Sequence, residues 1–332
     1  MKPLARASRR AAYYAWLLLL GSIAFMAPAA AAPDSYPLRP VRLIVPYTPG
    51  TGIDILARVV GQRLADRLKV AVVVDNRPGA SGNIGTEFVS KAAPDGYVLL
   101  MTSSTHVLNA ALQPGVPYDP INGFTPIAPT AIASLALVVN PGLPVHSVQE
   151  LVALAKEEPG KLNYASPGNG TPHHLAMELF KREFHVDLTH VPYNGTAGAV
   201  TDLIAGQVQV MFLPVHVALP LVQSGKLRML AAGGAHRSPV TPEIPSLADE
   251  GITGIDVDIW YALLGPAGMA KEQVALLNAE VDAILGESDV RELLAKQGMT
   301  PRPGTPDDLA RLMTTDLERW TQLIRAAKIT AD

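Results

Sequence analysis

The sequence predicts an α/β protein of two lobes, each a sheet covered by helices. Two observations carry this. Short apolar runs alternate with stretches of helical periodicity from the first strand onward. Two extended segments, 133–139 and 256–264, are placed to cross between the lobes. The runs are apolar at nearly every position, which implies burial on both faces and parallel pairing through helical crossovers.

Residues 41–45 form the first strand, after which Ile53, Leu56, Ala57, Val60 and Leu64 recur at helical spacing. Residues 70–74 are the second strand, 76–82 a loop, 84–92 a helix and 97–101 the third strand, entered through the turn signal Pro94-Asp-Gly96. Residues 135–139 are again a strand. Ser147-Val-Gln-Glu150 is a capping box that opens a helix to Glu157. Strands follow at 162–165, 186–192, 208–212 and 227–231, with helices at 173–184 and 195–205 between them. A proline- and glycine-rich loop spans 233–254, and 255–264 is extended. Helices at 271–286 and 305–327 close the chain; Thr305 caps the last, with Pro306 at its first position and Asp307 and Asp308 in its first turn. The expected lobes are 33–133 with 260–332, and 134–259, joined so that they can close by hinge motion.

The first 32 residues read as a secretory signal peptide. Arg6, Arg9 and Arg10 precede a short apolar run, and an alanine-rich exit places cleavage near residues 30–32. The run is too short for a comfortable membrane span. Ser8-Arg9-Arg10 matches only the arginine pair of a twin-arginine signal. There is no cysteine, so neither a lipoprotein anchor nor a disulfide is available. The expected destination is a bacterial periplasm. The net charge of −3 includes Lys2, Arg6, Arg9 and Arg10, leaving about −7 on the remainder. No basic face for nucleic acid stands out.

Catalytic and metal patterns are weak. The chain has no G-x-S-x-G elbow and no local pairing of serine with histidine. His173 and His174 are adjacent, so on a helix they point about 100° apart, and no zinc or calcium motif occurs. Gly79, Gly82 and Gly85 follow a strand but lack the spacing of a dinucleotide fingerprint and the terminal Lys-Ser/Thr of a P-loop. Neither a metal nor a cofactor is expected.

Four loops lie at the C-terminal ends of strands, where open α/β sheets place ligands: 47–54, 102–106, 166–171 and 193–196. All are rich in Gly, Ser, Thr and Asn, and none carries Lys or Arg. Such loops offer a carboxylate neutral donors, with helix ends supplying positive potential.

The chain resembles the Bug family, the extracytoplasmic solute-binding receptors of tripartite tricarboxylate transporters. The likeness is nearly full-length. It rests on Tyr36-Pro-Leu-Arg-Pro-Val-Arg-Leu-Ile-Val-Pro-Tyr47, Pro49-Gly-Thr-Gly-Ile-Asp54, Asn76-Arg-Pro-Gly-Ala-Ser-Gly-Asn-Ile-Gly85 and Pro94-Asp-Gly-Tyr97. It continues through Tyr164-Ala-Ser-Pro-Gly-Asn-Gly-Thr-Pro-His-His-Leu175, His190-Val-Pro-Tyr-Asn-Gly195, Asp202-Leu-Ile-Ala-Gly-Gln-Val208 and Trp260. The resemblance implies a type II periplasmic-binding-protein fold, no catalysis, and a ligand carboxylate gripped partly through ordered water. It implies a site of Thr48, Gly50, Thr51 and Gly52 on one lobe, and of Ser166, Gly168, Asn169, Gly170 and Thr171 on the other, with Asn194 and Gly195 beside them. Ser103 and Ser104 of the third-strand loop join the expected site. Asp54 is expected to be structural, because a second carboxylate would repel the ligand.

Members often carry a glycine at the position of Thr51, a small polar residue at Ile53, and aspartates at Gln209 and Leu213. Lacking those acids disfavours an amino acid and points to a plain mono-, di- or tricarboxylate, aromatic acids included. The implied partners are the ligand and the membrane subunits of a tripartite tricarboxylate-type transporter, with the receptor a monomer. Two other readings share the cleft: a sensor accessory that presents the liganded form to a membrane kinase, and a secreted hydrolase, for which no activated nucleophile is found.

Overall fold

The computed structural model describes residues 36–113, 115–234, 237, 241–252, 258–327 and 329. The expected signal peptide and part of the 233–254 loop lie outside the described residues. Two mixed sheets carry the architecture. The six-stranded sheet has the order β11-β4-β10-β3-β1-β2, and the five-stranded sheet the order β7-β6-β8-β5-β9.

The first sheet takes β1 (Val41–Val45), β2 (Val72–Asn76), β3 (Val98–Ser103), β4 (Phe124–Ala133), β10 (Ile259–Pro266) and β11 (Met299–Pro301). Helices α1 (Gly52–Leu68), α2 (Asn83–Ser90) and α3 (Thr105–Leu112) follow β1, β2 and β3. The second sheet takes β5 (Leu135–Val139), β6 (Asn163–Ser166), β7 (Thr189–Pro192), β8 (Val210–Pro214) and β9 (Arg228–Ala232). With it go α4 (Val148–Glu157), α5 (Pro172–Phe184), α6 (Thr196–Ile204) and α7 (Val215–Gln223). Then α8 (Lys271–Gly286), α9 (Ser288–Lys296) and α10 (Pro306–Ala327) complete the chain.

Each sheet buries its own apolar set. Ile44, Leu100, Trp260, Leu264 and Met313 pack together on the first, and Val138, Met211, Leu213 and Leu203 on the second. Burial of such side chains is the main favourable term, about 1.5–3 kcal/mol for each.

The capping expectations hold where side-chain oxygens reach backbone N–H groups. Ser147 accepts from Glu150 N at 3.1 Å, while the Glu150 carboxylate accepts from His146 N at 2.6 Å. Thr305 Oγ1 accepts from Asp308 N at 3.1 Å.

Strand direction departs from the expectation. β1 is parallel to β2 and β3, and β6 to β7 and β8. β5 and β10 run antiparallel to both neighbours. Both are buried along their whole length, so their apolar composition reports helices on both faces and not direction. Their direction follows from their origin: β5 enters from the other sheet one residue after β4, and β10 returns after the 233–258 segment. Among the described residues, no helix is long and apolar enough to cross a membrane.

Candidate functional site

The turn from β1 into α1 is built around Asp54. Its carboxylate accepts hydrogen bonds from Gly50 N (2.9 Å), Arg58 Nε (3.0 Å) and Asn76 Nδ2 (2.9 Å). Burial opposes its ionisation, but the bonds from Arg58, Gly50 and Asn76 outweigh this and hold the carboxyl below its ordinary range. The acid therefore stays charged and faces its own loop. Asn76 also donates to Tyr47 O at 3.0 Å, tying the end of β2 to the same turn.

The facing turn, from β6 into α5, is held by Ser166 and Thr171. Ser166 Oγ accepts from Gly168 N at 3.2 Å and lies 2.7 Å from His190 Nε2. Thr171 Oγ1 donates to Gly168 O at 2.8 Å and caps α5, accepting from His174 N at 3.5 Å. Gly170 N donates to His174 Nδ1 at 3.2 Å. Below the turn the rings of His174 and His190 stack with centroids 4.3 Å apart, and His190 stacks in turn on Tyr164 at 4.7 Å. Three parallel rings thus back the loop.

Between the turns lies a cleft of two adjoining chambers that share Tyr47 and Pro167. The outer, of about 550 Å³, is lined by Thr48, Gly168, Asn169, Asn194 and Gly195, and by Gly79-Ala80-Ser81-Gly82. The inner, of about 60 Å³, is lined by Thr51, Gly52, Ser103, Thr105, Thr171 and His173, with Ile53, Ile259 and Tyr261. All four candidate loops contribute. Of the expected residues, Gly50, Ser104, Ser166 and Gly170 line neither chamber; they shape the turns from behind. Ser104 Oγ is buried without a hydrogen-bond partner.

The halves touch across the cleft. A Cβ built on Gly168 would lie 2.7 Å from Ser81 Oγ, and one on Gly195 would lie 3.1 Å from Thr48 Oγ1. Gly52 is pressed between Met299 and the His216 ring, at 2.7 and 2.8 Å from such a Cβ.

Electrostatically the cleft is unusual for an anion site. Among the described residues, no Lys, Arg, Asp or Glu lines either chamber. Positive potential comes instead from helix starts. The first residues or caps of α1, α3, α5, α6 and α7 line the inner chamber, at Gly52, Thr105, Pro172, Thr196 and Pro214. Gly82, the cap of α2, lines the outer. Each helix N-terminus behaves as roughly half a positive charge with free N–H donors. Burial raises the Tyr47 phenol above its ordinary value against its bonds with Ser103 and Thr105, so the ring stays neutral at this wall.

Several lining groups were not singled out from sequence. Tyr47, Thr105 and Thr196 sit inside the candidate loops but were not named. Ser81 belongs to the 76–82 loop, to which no ligand role was given. His173 was weighed only as a metal ligand, and His216 lies on α7, which the sequence did not predict. No local signal marks these; only the tertiary fold brings them together. Among the described residues, no group of three or more His, Cys, Asp or Glu is placed to hold a metal.

Comparison with known proteins places this geometry. The profile of the tripartite tricarboxylate transporter family receptor (TctC) matches residues 56–329. Protein BugT of Bordetella pertussis is 35% identical over 310 residues, 93% of this chain and 94% of BugT. The structure of the periplasmic binding protein BugD superposes with a TM-score of 0.84 at 29% identity, covering 89% of this chain and 99% of BugD. An R. palustris protein with adipate superposes at 0.85 with 34% identity, covering 89% of this chain and 99% of that one. The two-sheet α/β fold is that of these binding proteins, and the chain belongs to the tripartite tricarboxylate transporter receptor family, the Bug proteins.

Proposed function

We propose that this member of the receptor family works in the periplasm, closing its two lobes on a small organic carboxylate and delivering it to a tripartite tricarboxylate-type membrane transporter without chemical change. The observation that carries the ligand class is the cleft itself, uncharged in its side chains and faced by the N-termini of six helices. Such a site favours an anion and releases it readily, because no arginine fork grips it. Adipate in an R. palustris relative supports the same class. The lobes are taken as 33–133 with 260–332, and 134–259. In support, β1–β4, β10 and β11 share one sheet, and β5–β9 the other. The binding role falls to Thr48, Thr51, Gly52, Ser103, Gly168, Asn169, Thr171, Asn194 and Gly195. Asp54 fixes the first turn.

A thermal-shift screen of the mature protein against mono-, di- and tricarboxylates tests this, since a ligand bound only by the folded state raises its stability. At least one carboxylate is expected to raise the melting point. No shift across the panel, with turnover of an ester, would replace the reading with the hydrolase. Deleting a neighbouring multi-span membrane protein should abolish uptake of that ligand if the role is transport, and leave uptake intact if it is sensing.

A further inference from the structure

The inner chamber holds a polar side chain that the protein itself leaves unsatisfied. His173 is 7% exposed, lines the chamber from the first turn of α5, and has no hydrogen-bond partner at Nδ1 or Nε2. Behind Gly52 stands His216, 8% exposed and likewise unpartnered at both nitrogens. Three hydroxyls of the chamber wall are, by contrast, already engaged. Thr51 Oγ1 donates to Thr48 O at 2.9 Å, Thr171 Oγ1 to Gly168 O at 2.8 Å, and Ser103 Oγ to Thr105 Oγ1 at 3.2 Å. A neutral imidazole always carries one N–H, and burying it unpaired is costly.

Five helix N-termini face the same chamber, against two for the outer one. Among the described lining residues the titratable groups are Tyr47, His173 and Tyr261, and none is acidic. Ile53, Ile259 and three prolines make up much of the remaining wall, a low-dielectric surround in which a charge-assisted hydrogen bond is strong. The volume of about 60 Å³ accommodates a small polar group, whereas the outer chamber is sized for the body of an acid.

On the reading that this receptor binds a carboxylate, we propose that the carboxylate seats in the inner chamber with an imidazole N–H of His173 as its side-chain donor, while the rest of the ligand extends into the outer chamber. The unpaired imidazole is then a binding group retained against stability. Removing it should weaken binding without weakening the fold.

The experiment is calorimetric titration of wild type, His173→Leu and His173→Gln with adipate, or with whichever carboxylate gives the largest thermal shift. His173→Leu is expected to bind at least tenfold more weakly while its unliganded melting point stays the same or rises. His173→Gln, which keeps a donor, should bind within a few-fold of wild type. A leucine variant that binds as tightly as wild type overturns the assignment of His173 but leaves the carboxylate reading standing. A wild type that binds no carboxylate overturns both.

Discussion

A Cβ built on Gly170, at φ +73°, would lie 2.8 Å from Asn109 Oδ1, so the turn before α5 meets the side chain of α3 with no room for a methyl group. This contact joins one half of the cleft to the other. It depends on an absent side chain as much as on any bond.

Gly170→Val should therefore act twice. The positive φ disfavours a β-branched residue by about 1–3 kcal/mol, and the added atoms hold the halves apart at Asn109. Ligand-induced thermal shift is expected to vanish while the far-ultraviolet spectrum stays native. Adding Asn109→Ala should restore part of the binding, because it removes the atom that is struck and leaves the backbone strain.

Asp54 supports the opposite turn. Asp54→Ala removes a buried carboxylate and its bonds to Gly50, Arg58 and Asn76. A loss of about 2–4 kcal/mol is expected in urea unfolding, with weaker ligand binding as the 48–52 turn loosens. Asp316→Ala is the matched control. It removes the acceptor of Trp260 Nε1–H, a 2.6 Å bond between residues that line neither chamber. A cost of about 1–3 kcal/mol with unchanged ligand affinity is expected.

Acid should destabilise the unliganded protein well before its carboxylates titrate. Burial holds His106 and His216 down to about 4, and burial together with His216 holds His173 down to about 3. The unfolded chain binds protons on these histidines below about pH 6.5, while the folded state refuses them until about pH 4. Stability is therefore fully present above pH 6.5 and falls as pH drops toward 4, by about 1.4 kcal/mol per unit for each histidine. Asp54, whose value is lowered on folding, adds a further loss only in more acid solution. Urea midpoints measured from pH 7.5 to 4.5 check this, and His173→Leu should flatten the slope by about one proton.

Legibility of the fold followed local pattern. The run 41–45 and its glycine-rich exit announced β1 and α1, and Ser147 with Glu150 announced α4. Three helices were missed for identifiable reasons. Thr105–Leu112 opens inside a polar Thr-Ser-Ser-Thr stretch and gains no side-chain cap from Ser104. Val215–Gln223 carries valines at its start and Pro220 inside, residues that argue against helix taken alone. Ser288–Lys296 follows α8 with only a one-residue break. The direction of β5 and β10 was not legible, because burial on both faces leaves the same composition whichever way a strand runs. At the cleft, glycine, serine and threonine at strand ends marked the loops. Nothing in the chain between them marked that His173 would share a chamber with Gly52, or that His216 would stand against Gly52, a placement set by the packing of α7 against α1 and β11.

The claim that this cleft recognises a carboxylate is tested most directly by calorimetric titration of the protein with adipate beside its uncharged analogue 1,6-hexanediol and the diamine of equal length. If another acid gives the larger thermal shift, it is titrated beside its own alcohol and amine. Saturable binding of the acid, with neither the alcohol nor the amine bound, is the predicted result. Equal binding of acid and alcohol, or heat only from the amine, would contradict it.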